Sequence, residues 1–134
     1  MALQSLRGYY NMETWKDIPG YENVYQASNM GRVRSCDRVI REYTLDNVLV
    51  SEKLRKGHIL TQSTNKHGYK VVGLYTFGKV KVIQVHILVA MAFFGVPDTH
   101  MDVHHINHVR TDNNVNNLIW IDVYTHQNIY HKHR

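Results

Sequence analysis

The chain has 134 residues, enough for one domain or for a small core carrying an N-terminal module, which excludes two independent large cores. Its formal charge is +5 with a sequence pI near 9.4, and ten histidines add positive charge as pH falls, so a polyanion is the natural partner. A single cysteine and an opening MALQSLRGYYNMETW without a signal-like apolar run point to a reducing compartment, read as cytoplasmic, and the longest apolar run, 87–94, is too short to span a bilayer.

The first dozen residues carry no periodic signal, and the informative stretch begins at Trp15: WKDIPGYENVYQASNMGRVRS. Pro19-Gly20 marks a turn, 24–28 reads as a short strand, 29–31 as a tight turn and 32–35 as the returning strand. The basic run Arg32, Arg34, Arg38, Arg41 holds one acid, Asp37, before Glu42. Such a run is either a solvated strand face or a ribbon laid along phosphates, and DNA contact is the favoured reading. The pattern W-K-D-I-x-G-Y followed by Y-Q-x-S-N-x-G-R-V-R-S resembles the nuclease-associated modular domain that precedes HNH domains in phage and homing nucleases. We bound that module at 13–41.

Residues 39–55 have mixed charge and no readable period, as a connection or variable insertion would. A second β unit spans 58–85, with turns at 65–68 and 77–78, and Lys70, Lys79 and Lys81 keep it basic. Residues 86–94 then read as a helix that Gly95 ends and Pro97 keeps from resuming. His86 at its start is a packing residue, or one aimed at the site or at DNA, with packing favoured.

The chemistry concentrates in 103–133, VHHINHVRTDNNVNNLIWIDVYTHQNIYHKH, which reads as strand, loop, strand, helix. Neighbouring strand residues point to opposite faces, so His104 and His105 do not share a centre by strand geometry alone. Asp122 can cap a helix that carries His126, so one strand histidine and one helix histidine can meet at a single cation. A His cluster can equally bind metal adventitiously or form a closed zinc site, although the one cysteine, Cys36, lies too far off for a Cys-containing site. His100 and His108 read as loop surface, and His131 and His133 as terminal residues, none of them ligands.

Residues 85–131, with V-H-I-L-V-A at the start and N-L-I-W at 117–120, resemble the ββα-metal motif of HNH (His-Me finger) endonucleases of the phage and homing type. The resemblance implies an α+β fold: a ββα-metal core at 103–133 within a nuclease domain at 56–134, preceded by small antiparallel β hairpins. It makes His105 the general base, Asn117 the residue that holds the loop and orients His105, and His126 a metal ligand. His104 falls where this branch usually has a ligand Asp, and His108 where it often has Gly. The implied activity is metal-dependent hydrolysis of DNA phosphodiesters, by nicking if the enzyme acts as a monomer. One divalent ion is the implied cofactor (Mn²⁺, Mg²⁺, Co²⁺, Ni²⁺ or Zn²⁺), and imidazole in place of carboxylate favours Mn²⁺, Co²⁺ or Ni²⁺ over Mg²⁺. Double-stranded DNA is the implied partner, met by Arg32, Arg34, Arg38, Lys70, Lys79 and Lys81. The alternative is a DNA-binding or regulatory protein that keeps the scaffold without turnover. Monomer or homodimer, target sequence and biological role stay open.

Overall fold

The structure, a computed structural model, describes residues 12–123. Three short strands open it: β1 (Trp15–Asp17), β2 (Tyr25–Ser28) and β3 (Val33–Ser35), antiparallel in that order, with Trp15 opposite Ser28 and Tyr25 opposite Ser35. The turn between β2 and β3 sits where Asn29-Met30-Gly31 predicts it, with Gly31 at φ +84°.

Residues 39–55 differ from expectation. They form most of a two-stranded antiparallel ribbon, β4 (Arg38–Tyr43) and β5 (Leu49–Arg55). Both faces are largely exposed, so no apolar alternation marks these strands in the sequence. The next sheet follows the reading more closely, with β6 (Ser63–Thr64), β7 (Lys70–Thr76) and β8 (Lys79–Gln84) in that order. Phe77 and Gly78 both take positive φ between β7 and β8, as a two-residue hairpin turn demands. At the start of the β unit expected over 58–85, Ile59 makes only a single bridge, to Arg34.

The helix α1 (Val85–Phe94) ends at Gly95, whose N–H reaches Met91 O at 3.1 Å. Its sequence VHILVAMAFF is apolar on every side, and a helix of that kind belongs inside. It packs on all the layers around it: β1, β2, β7, β8 and the last pair, β9 (Met101–His105) and β10 (Leu118–Asp122). One hydrophobic cluster results. Ile18, just after β1, and Tyr25, Ala27 and Val33 of β2 and β3 join Val72 and Leu74, the α1 residues Val85, Leu88, Val89 and Ala90, and Val103 and Leu118. Among the described residues the class is therefore α+β. The helix expected after Asp122 lies outside them beyond its first residue.

Candidate active site

β9 and β10 pair so that Leu118 stands opposite His105 and Ile119 opposite His104. The connection between them folds back tightly. Ile106 N–H donates to Asn117 O at 2.8 Å, and His108 N–H to His105 O at 2.9 Å. His108 takes φ +63°, the left-handed conformation a glycine adopts without strain, so the non-glycine residue keeps the turn at a cost of roughly 1–2 kcal/mol.

Five asparagines lie between 107 and 117, and two are buried, with different tasks. Asn117 closes the loop. Its Oδ1 accepts from Asn107 N–H at 2.9 Å, while its Nδ2 donates to Asn107 Oδ1 and to Asp112 O, both at 2.8 Å. With its carboxamide so engaged, Asn117 has no hydrogen bond to the His105 ring. Asn113 makes that bond, its Oδ1 lying 2.8 Å from His105 Nε2. A carboxamide oxygen only accepts, so Nε2 carries the ring proton and Nδ1 keeps a lone pair. Nothing in a run of loop asparagines marks Asn113 as the one that turns inward, so the sequence alone does not single it out.

His105 is 6 % exposed. Burial pushes its pKa below the ordinary histidine range, and the Asn113 bond opposes that shift. His86, at the start of α1, lies against it with ring centroids 4.8 Å apart, and Tyr69 packs on both, tilted at 5.0 Å from His86 and stacked at 6.0 Å from His105. Arg110 spans the outer side of Tyr69 at 5.1 Å and donates to His67 O at 2.6 Å. His86 Nδ1 has no hydrogen-bond partner among the described residues, and burial first, then His105, holds its pKa down to about 3. His86 is thus a neutral packing wall that also faces the site, which joins the two readings its sequence left open.

His104 is 6 % exposed, and its ring meets that of His108 edge-on at 5.2 Å. Among the described residues no group of three or more His, Cys, Asp or Glu side chains could hold a metal ion. His126, the second expected ligand, lies outside the described residues. Of the two expected ligands the described residues hold one, His104, an imidazole donor of the kind a divalent transition ion takes, and by themselves they form no metal site.

The expected DNA-contacting residues are spread over three sheets and do not all share one strand face. Arg32 precedes β3, makes a two-point ion pair with Glu13 and lies 5.6 Å from the Trp15 ring. Arg34, in β3, donates to Gln26 Oε1 at 2.8 and 3.0 Å and covers Trp15 at 4.2 Å. Arg38 stands on the separate ribbon opposite Arg55, and Arg41 on its other face meets Glu52 at 3.6 Å. Lys70 Nζ donates to Thr64 Oγ1 at 2.9 Å, and Lys79 and Lys81 are exposed along β8.

Comparison with known proteins bears on both halves of the chain. Residues 13–75 match the NUMOD4 motif and residues 84–128 match the HNH endonuclease family. The DNA endonuclease I-HmuI of Bacillus phage SP01 is 35% identical over 107 residues, covering 80% of this chain and 51% of that protein. An uncharacterized HNH endonuclease of Acanthamoeba polyphaga mimivirus is 27% identical over 113 residues, covering 68% of this chain and 34% of the relative. The solved structure of the HNH homing endonuclease I-HmuI, described as showing DNA binding and cleavage, superposes with a TM-score of 0.63 at 31% identity, over 90% of this chain and 57% of the other. The chain spans about half the length of I-HmuI and a third of the viral relative.

Proposed function

We propose that this chain, a homologue of the phage HNH homing endonuclease I-HmuI, binds double-stranded DNA and hydrolyses its phosphodiester bonds, nicking one strand per encounter if it acts as a monomer. The observation that carries the reading is His105: buried, with Nε2 2.8 Å from Asn113 Oδ1, a contact to an acceptor that assigns the ring proton to Nε2 and the lone pair to Nδ1. A neutral imidazole with one nitrogen anchored is a general base fixed in one tautomer and one orientation. Its depressed pKa keeps it unprotonated at neutral pH.

In this reading His105 Nδ1 takes the proton of the attacking water. Asn113 holds the ring and Asn117 holds the loop that carries Asn113. His104 and His126 would hold a divalent ion, which when bound would supply positive charge to offset the negative charge building on the phosphate and on the departing 3′ oxygen. Cleavage leaves 5′-phosphate and 3′-hydroxyl ends. Arg32, Arg34, Arg38, Lys70, Lys79 and Lys81 meet phosphates, and their dispersion over three sheets supports broad backbone contact. Among the described residues no helix is long and apolar enough to cross a membrane.

A supercoiled-plasmid assay tests the reading. We expect open-circular product with a divalent metal and none with EDTA. His105→Ala should abolish nicking and keep DNA affinity near that of the wild type, since affinity comes from distributed charge. A plasmid left intact across a series of divalent metals would instead support a binding protein that keeps the scaffold.

A further inference from the structure

The turn that joins β2 to β3 lies directly against the loop that holds His105. Asn29 O accepts from Val115 N–H at 2.8 Å. At Gly31 an added Cβ would stand 2.9 Å from Asn113 Cβ and 3.0 Å from the Asn113 carbonyl carbon and oxygen. Asn113 is 4 % exposed, and its side chain is the one bonded to His105. The turn that makes this contact is itself held on several sides. Ser28 Oγ accepts from the amides of Met30 and Arg32 at 3.2 and 3.0 Å. Asn29 binds Thr14 N–H and Met12 O through its side chain, and Gly31 O accepts from Gln62 Nε2 at 2.9 Å.

The geometry points to the 29–31 turn as a positioning device for the base: Gly31 by close approach and Asn29 by its carbonyl set where Asn113 stands, and Asn113 sets the His105 ring. The inference rests on reading His105 as the base. None of the turn residues need touch DNA or the reacting atoms for this role, so a feature of the N-terminal module governs turnover through packing alone. Two separate demands fall on position 31. Its left-handed φ would suit any glycine, whereas the contact with Asn113 is particular to this site. Gly20 meets only the first demand, at φ +87° with nothing within 4 Å of an added Cβ.

That pair makes the test. Gly31→Ala and Gly20→Ala share the backbone strain, but only Gly31→Ala pushes on Asn113. We expect Gly31→Ala to lower kcat for plasmid nicking roughly ten- to hundredfold, with KM and the Kd for DNA in EDTA unchanged, because small misplacements of a catalytic group carry losses of that order. Gly20→Ala should keep the wild-type kcat. Asn113→Ala should show a similar loss, and the Gly31→Ala, Asn113→Ala double variant should be no worse than Asn113→Ala alone. In metal-free protein the ring ¹H–¹⁵N resonances of His105 should move in Gly31→Ala and stay in place in Gly20→Ala. Gln62→Ala, which adds no atoms, should lower kcat less but in the same direction, so the inference stays testable if Gly31→Ala does not fold. Unmoved His105 resonances, a kcat for Gly31→Ala within twofold of Gly20→Ala, or losses that multiply in the double variant would each overturn it. Failure of the base assignment looks different: nicking survives His105→Ala while the His105 resonances still respond to Gly31→Ala.

Discussion

Around His105 the polar side chains divide into those that fix geometry and those that must stay uncharged. Asn113 and Asn117 belong to the first group. His86 belongs to the second, because a charge there would lie against the His105 ring. Its pKa is about 3 in the fold against 6.5 ordinarily, so below pH 6.5 the unfolded chain takes up a proton that the folded chain refuses. The His86 contribution is therefore absent above that pH and destabilising as pH falls toward 3, by up to about 1.4 kcal/mol per unit. Denaturant unfolding in EDTA at several pH values should show His86→Phe gaining on the wild type as pH drops from 7 to 4. Parallel curves would mean that His86 takes a proton in the fold. His104 supports a second prediction at this scale. If His104 is the proposed ligand, its imidazole lacks the oxygen donor Mg²⁺ prefers, so Mn²⁺, Co²⁺ or Ni²⁺ should drive nicking at least as fast as Mg²⁺, and a metal series with Mg²⁺ fastest would contradict it.

Elements whose signal is local were legible in the sequence. The β2–β3 hairpin follows from Asn-Met-Gly between short strands, and the β7–β8 hairpin from Phe-Gly between longer ones. The helix α1 follows from an apolar run ended by glycine. The β4–β5 ribbon was not legible, because a strand exposed on both faces leaves no alternation to read. Nor was the partnering of the arginines, which depends on sheets that the sequence does not assemble in advance. Along the ribbon Arg38 and Arg55 stand directly opposite each other, and Lys53 lies next on the same face opposite Ile40. Like charges facing across a ladder are destabilising until an anion comes between them. The Arg38→Ala, Arg55→Ala double variant should therefore weaken DNA binding and reduce the slope of log K against log salt by about 2, without lowering the melting temperature. Arg32→Ala, Arg34→Ala should also weaken binding, but with a lower melting temperature, since it removes the contacts to Glu13, Gln26 and Trp15. A melting loss of equal size in the two double variants would remove the distinction between them.

At the scale of the whole molecule, one core serves both motifs. The helix α1, which begins the stretch matching the HNH family, is covered on one side by Ile18, Ala27 and Val33, all fully buried, and by Tyr25. The Tyr25 hydroxyl adds a polar tie, accepting from Tyr75 N–H on β7 at 2.9 Å. These contacts cross between stretches that a motif-by-motif reading of the sequence treats as separable modules, 13–41 and 56–134. A fragment of residues 56–134 would expose the α1 face that the N-terminal strands cover. Each large apolar side chain left without its cover forfeits about 1.5–3 kcal/mol, against a total stability of about 5–15 kcal/mol for a domain. The fragment would also lose the Asn29 and Gly31 contacts that hold the loop around Asn113. We expect it to melt without a cooperative transition and to show no protected amides in β9 by hydrogen exchange, whereas the full chain shows both. A fragment that melts cooperatively near the temperature of the full chain would mean that the shared cluster is an interface between two self-sufficient folds.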